Sequence, residues 1–262
     1  MSIRDITLGR YVYGTSPLHR LDPRAKLIST LLVMAGLLAR NSWRPLLAVG
    51  AFTMLAAILS GLRASTLLRS VLPFKWFIIL TAALNVLFTG GHIIIPAPLP
   101  FGGITHEGLE FGILYSARLA ALVILASLLT LTTEPVSLVD GVEKLLRPFS
   151  RFGLKPHDIA TAMVITIRFI PVLLDEALKI RKSHAARGLR PVGLRANLKS
   201  VSLLLVPLFT SAVRRAEELA VAMDCRLYRS GEARTRYREL RMARADWAAL
   251  GVSLAFTLVM LI

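Results

Sequence analysis

The chain has 262 residues, 55% of them hydrophobic, and 32 Lys plus Arg against 16 Asp plus Glu, for a formal net charge of +16. Positive mean hydropathy and long apolar runs exclude an ordinary soluble domain and place the chain in a membrane. The cations cluster between the apolar runs, as in cytoplasmic segments of membrane proteins, so the charge argues topology rather than nucleic-acid binding, and the single cysteine, Cys225, excludes an internal disulfide.

The stretch through Lys26 is polar and charged, so no cleavable targeting segment is expected there. Apolar runs follow at 27–39, 46–62, 71–89 and 108–133, and a last one at 247–262 opens on an interfacial Trp247. A helix needs about 20 apolar residues to cross the hydrocarbon. The first run is short of that and is expected to recruit its flanks, with Lys26 and Arg40 snorkelling. Arg4, Arg10, Arg20, Arg24 and Lys26 precede the first run, and Arg63, Arg69 and Lys75 lie where the second meets the third. Residues 90–107 have no Lys or Arg. That puts the N-terminus inside and the long loop outside. The loop, with Pro96, Pro98, Pro100 and Gly102-Gly103, reads as irregular or re-entrant. Within the fourth run Arg118 is the one clear charge; it is expected near mid-bilayer, facing protein as a structural tie, with Glu110, Asn85 or released carbonyls as partners.

From 134 to 245 there are 21 of the 32 cations, which marks a cytoplasmic module. Residues 157–186 carry Ile159, Met163, Ile167, Ile170, Leu174 and Leu178 mostly at three- and four-residue steps, predicting a long amphipathic helix kinked at Pro171. Residues 196–225 repeat the pattern, with Pro207 inside an apolar run that gives way to Arg214 and Arg215. A shorter helix is expected over 137–146. These read as three coupling-type helices along or under the membrane; a crossing by 159–174 or 201–213 is the other reading. The fold class is an all-α membrane protein of about five spans with such a module. Its domains are 1–133 (four spans), 134–245 (cytoplasmic coupling) and 246–262 (a C-terminal span).

Catalytic chemistry is absent from the pattern. No Gly-x-x-x-x-Gly-Lys-Ser/Thr loop cradles a nucleotide, so any ATP binds elsewhere, and the five histidines show no metal-ligand spacing. Asp175-Glu176 and Glu217-Glu218 are adjacent pairs that point apart on a helix, as ion-pairing or solvated faces do. Instead, two Arg-tipped helix ends stand out, 39 residues apart: Ala186-Arg187-Gly188 and Cys225-Arg226-Leu227, each with a second Arg three residues on. A Gly cap with a cation in the last turn is common at helix ends. A small residue beside a long planar cation also suits insertion into a groove with a bidentate carboxylate pair.

These residues, with others, carry a resemblance. The run from Ser16-Pro17-Leu18-His19-Arg20-Leu21-Asp22-Pro23 to Leu27, then Thr132-Thr133-Glu134-Pro135, then Arg168-Phe169-Ile170-Pro171 with Asp175-Glu176-Ala177, then Pro207-Leu208 and Arg214-Arg215-Ala216-Glu217-Glu218, resembles in order and almost end to end the transmembrane T component of energy-coupling-factor transporters. The resemblance implies a non-catalytic subunit of the prokaryotic cytoplasmic membrane, with no cofactor of its own, in an ATP-driven importer of vitamins. A dedicated cobalt or nickel importer is the alternative, and a self-contained secondary transporter fits less well. It implies two long crossed helices whose Arg ends dock in grooves of two ABC-type ATPase subunits, which bind the ATP. Ala186-Arg187-Gly188 matches the motif in full, whereas Cys225-Arg226-Leu227 keeps only the Arg, which suits a heterodimeric ATPase and leaves a homodimer open. The resemblance also implies that Ile167, Ile170, Leu174, Leu204 and Leu208 hold a separate membrane-embedded substrate-binding S component.

Overall fold

The computed structural model describes residues 11–14, 16–95, 104–153, 155–188, 194–229 and 242–261. In chain order the helices are α1 (Pro17–Arg20), α2 (Pro23–Ala39), α3 (Trp43–Ser60), α4 (Ala64–Val71), α5 (Lys75–Phe88), α6 (His106–Thr132), α7 (Pro135–Leu146), α8 (Pro156–Ala186), α9 (Leu194–Cys225) and α10 (Arg244–Leu261). The protein is an all-α membrane protein, with one short two-stranded ribbon among the described residues. Among the described residues five helical stretches are long and apolar enough to cross a bilayer: Trp43–Ser60, Ala64–Phe88, His106–Thr132, Pro156–Ala186 and Arg244–Leu261. The chain groups into two compact units, 1–141 with 238–262, and 142–237.

In the first unit, α2 and α10 run parallel. Asp22, before α2, donates its backbone N–H to Asp246 Oδ1 at the start of α10 (2.8 Å), and Gly36 near the end of α2 faces Thr257 and Met260 of α10. Helix α6 runs antiparallel to α2: Thr132 at its C-terminal end meets Lys26, and Arg118 meets Arg40 at the far end of α2. Where these helices and α3 converge, Val33, Leu37, Val49, Leu125 and Met260 form the apolar core, with Phe52 and Phe256 stacked 5.0 Å apart.

Lys26 does not snorkel. It is 6% exposed, and its ammonium donates to the carbonyls of Thr132 (3.0 Å) and His19 (3.2 Å). The last turn of a helix leaves carbonyls without intrahelical partners and carries the negative end of the macrodipole, so the end of α6 attracts the cation inward. Asp22 and Asp246, both buried, act on the same ammonium electrostatically. Asp22 also caps α2 by accepting from the Arg24 N–H, and Asp246 Oδ2 accepts from the Ala243 N–H at 2.7 Å. Four segments thus meet at one point.

The third apolar run is not one straight helix. Pro73 has no N–H to continue the ladder, and a 3-10 turn over Leu72–Phe74 separates α4 from α5. Helix α5 then packs against α6 at a glycine pair. A Cβ on Gly108 would sit 3.0 Å from the Asn85 carbonyl oxygen, and one on Gly112 would sit 3.1 Å from that of Ala82. Small residues four apart let two backbones approach where no water drives association. The connection between them is more ordered at its base than its composition predicts. Ile93–Ile95 pairs antiparallel with Ile104–Thr105, the Thr105 hydroxyl caps α6 and donates to the Thr89 carbonyl, and Glu107 accepts the His92 N–H. The prolines and Gly102-Gly103 lie outside the described residues.

In the second unit, a 3-10 turn over Arg147–Phe152 follows α7 and ends at Gly153, φ 84°. Helices α8 and α9, of 31 and 32 residues, each contain one proline, Pro171 and Pro207, and pack against each other. Their bounds fall within two residues of the expected ones.

Candidate functional site

Helix α8 opens at Pro156, whose missing N–H costs nothing at a first turn, and His157 Nδ1 lies 3.3 Å from Glu143 Oε1 at the end of α7. The contact between α8 and α9 is marked by an ion pair, Arg215 Nη2 to Glu176 Oε2 at 3.6 Å, and Lys179 reaches the same carboxylate at 4.0 Å. Glu176, of the expected ion-pairing doublet, therefore sits between the helices. It stands eleven residues before Arg187, and Arg215 stands eleven residues before Arg226. At 1.5 Å per residue, each Arg tip projects about 16 Å beyond that pair. The helices are two levers of equal length from their point of contact.

The two tips also end alike. In α8 the Arg187 N–H bonds the Ser183 and His184 carbonyls, and Gly188, at φ 81°, donates to the Ala185 carbonyl at 3.1 Å. In α9 the Leu227 N–H bonds the Asp224 carbonyl at 2.9 Å, and the Tyr228 N–H reaches back to Met223 at 3.0 Å. Each Arg is thus the last residue before the chain turns left-handed, and α9 closes in a full Schellman arrangement. The departure from Gly in the second motif does not change the turn. Leu227 adopts φ 56°, the one positive φ outside glycine among the described residues. For an L-residue with a Cβ that conformation costs about 1–2 kcal/mol. Ala186, Arg187, Gly188, Cys225, Arg226 and Leu227 are all exposed, and Leu227 is 79% exposed.

The apolar positions expected to hold a partner, Ile167, Ile170, Leu174, Leu204 and Leu208, are each half-buried. The outward apolar side chains of α9 are others: Leu203, Leu205, Val206, Phe209, Val213 and Val221. Positions 206, 209 and 213 fall on one helix face, on the side opposite Leu204 and Leu208. The middle of α9 is therefore apolar on two faces, a pattern legible in the unbroken run 203–209 rather than in any single stripe.

Arg118 lies in α6, 8% exposed. Its partners are neither Glu110 nor Asn85: the guanidinium donates to the Asn41 side-chain oxygen and to the backbone carbonyl of Arg40, and it lies 5.6 Å from the Tyr115 ring centroid. Of the three kinds of partner expected, the released carbonyl is the one found. Glu110 accepts instead from the Trp43 indole N–H (3.0 Å), and Asn85 donates to the Thr81 carbonyl. The reason is length. Helix α2, of 17 residues and about 25 Å, ends at the height of Arg118, so its unsatisfied terminal carbonyl is the nearest acceptor.

The class these features define is a multi-pass α-helical membrane protein carrying two long helices with exposed cationic ends. A family described as cobalt transport protein, CbiQ, matches residues 14–237. The chain is 44% identical over 262 residues to a protein of Heliobacterium modesticaldum described as energy-coupling factor transporter transmembrane protein EcfT, covering 99% of this chain and 98% of that one. It is 41% identical to a protein of the same description from Clostridium kluyveri, over 94% of this chain and 92% of that one. It is 39% identical to the one from Bacillus subtilis, over 97% and 94%. The chain belongs to the family of T components of energy-coupling-factor transporters, and its role is in membrane transport.

Proposed function

We propose that this chain is the non-catalytic coupling subunit of an ATP-driven importer, joining two ABC-type ATPase subunits to a membrane-embedded S component that binds a vitamin or other micronutrient. The observation that carries this reading is the pair of matched helix ends, with Arg187 and Arg226 each the final residue before a left-handed turn and each eleven residues from the Glu176–Arg215 pair. A guanidinium on an exposed helix end presents its donors as a fork to a carboxylate-lined groove. The ATPases hold the ATP, and this chain needs no cofactor. When ATP draws the two subunits together, both tips move with them, and levers of equal reach turn that approach into a change of angle where α8 meets α9. The apolar faces near that contact, half-buried at Ile167, Ile170, Leu174, Leu204 and Leu208 and open at Val206 and Phe209, suit the S component. The cation distribution supports a cytoplasmic side for the N-terminus and for both tips.

The family description favours a second reading, a dedicated cobalt importer with the same ATPase docking and a different cargo subunit. Affinity purification of the tagged chain in mild detergent separates the two by the subunit recovered. In the same assay Arg187→Glu and Arg226→Glu each lower ATPase co-purification at least tenfold, a bidentate charge contact being a few kcal/mol, and the double variant abolishes uptake. ATPase recovery and uptake at unaltered levels in the double variant refute the docking reading.

A further inference from the structure

The turn at Leu227 combines two unfavourable features. A leucine occupies the left-handed conformation that Gly188 takes freely in the first tip, and its side chain is 79% exposed beside an exposed arginine. Among the described residues the side chain contributes to neither apolar cluster. Strain held at an exposed position points to a contact made outside the chain. The two tips share backbone hydrogen bonding, arginine placement and lever length, and Leu227 in place of Gly188 is the difference that sets a large apolar side chain immediately after the arginine.

We infer that Leu227 is the specificity-determining residue of the second tip: it enters an apolar pocket beside the arginine-binding carboxylate groove of one ATPase subunit, and the other subunit, which receives Arg187-Gly188, lacks that pocket. This inference rests on the ATPase-docking reading and deepens it. The first tip presents backbone alone after its arginine and fits a groove wall that closes on it. The second presents a leucine that such a wall rejects by collision, so each tip is matched to its own subunit by an attractive and a repulsive element together. The cationic arginine supplies affinity for either groove, and the apolar side chain supplies the choice.

Ser183 and Ala222 are both exposed and each lies four residues before its arginine, which makes them equivalent reporter positions. In a Cys225→Ser background, Ser183→Cys and Ala222→Cys, each carrying a thiol-linked photocrosslinker, are assembled with both ATPase subunits and the S component. The expected result is that the two reporters capture different ATPase subunits, each with a preference on the order of tenfold, the discrimination a buried leucine provides. With Leu227→Gly or Leu227→Ala added, the Ala222→Cys reporter divides about evenly between the subunits. Glycine relieves the backbone strain and alanine keeps it, so the two variants together separate the side chain from the turn. The inference is overturned if the preference survives both variants, if it falls only with glycine, or if one ATPase species is captured at both tips. Absence of any ATPase crosslink from either reporter refutes the docking reading itself.

Discussion

Replacing Lys26 by methionine removes the cation at the meeting point of α2, α6 and α10 while keeping the length and most of the volume of the side chain. Two charge-assisted hydrogen bonds are lost, to the Thr132 carbonyl at 3.0 Å and the His19 carbonyl at 3.2 Å. Each is worth about 1.5–3 kcal/mol, and the orphaned Thr132 oxygen belongs to a residue 2% exposed, where water does not readily replace the donor. Part of that loss is offset because the methionine no longer carries the desolvation cost of a buried ammonium, which leaves a net destabilisation of about 3 kcal/mol. For a protein of this size the midpoint of thermal unfolding moves about 2–4 °C per kcal/mol, so a fall of about 6–12 °C is expected. The assay is thermal unfolding in mild detergent, followed by circular dichroism at a fixed detergent-to-protein ratio. Asp246→Asn, alone and combined with Lys26→Met, completes a double-mutant cycle. Because the Asp246 carboxylate acts electrostatically on the Lys26 ammonium, the pair falls short of additivity by about 1 kcal/mol or more. A midpoint that moves less than 2 °C in Lys26→Met, or strict additivity in the cycle, refutes the assignment of this lysine as the tie.

Two further outcomes follow from the same unit. Gly112→Leu drives a side chain into the Ala82 carbonyl and the Val86 methyl, each 3.1 Å from its Cβ, and lowers stability by more than the 1–3 kcal/mol typical of one added methylene, whereas Gly50→Ala, with open space around it, is neutral or stabilising by up to about 1 kcal/mol; the same melts measure both. Arg118→Lys keeps the charge but not the fork that serves Asn41 and the Arg40 carbonyl together, and costs about 1.5–3 kcal/mol, while an unchanged midpoint would show that these contacts carry no load.

Helices α8 and α9 were legible because their signals are local: apolar residues at three- and four-residue steps, and an Arg-Gly pair that stops α8. The same locality explains what was not legible. Lys26 looked like a snorkelling flank because the carbonyl it serves is 106 residues away, and no periodicity reports which helix end will arrive beside it. For Arg118 the sequence left Glu110, Asn85 and released carbonyls open as partners, because its acceptors come from a turn more than 70 residues earlier, placed there by the shortness of α2. The resemblance flagged Leu227 only as a departure from the glycine of its motif. That the backbone keeps the left-handed turn regardless is set by the hydrogen bonds to Met223 and Asp224, and those belong to the folded helix end.

The parallel course of α2 and α10 and the reversed course of α6 place Thr132 and Asp246 at the same end of the first unit, and this fixes a parity. A chain that leaves and returns at one membrane face crosses an even number of times in between. Residues 134–243 therefore contribute an even number of crossings, zero included, whatever the length and apolarity of any single helix within them.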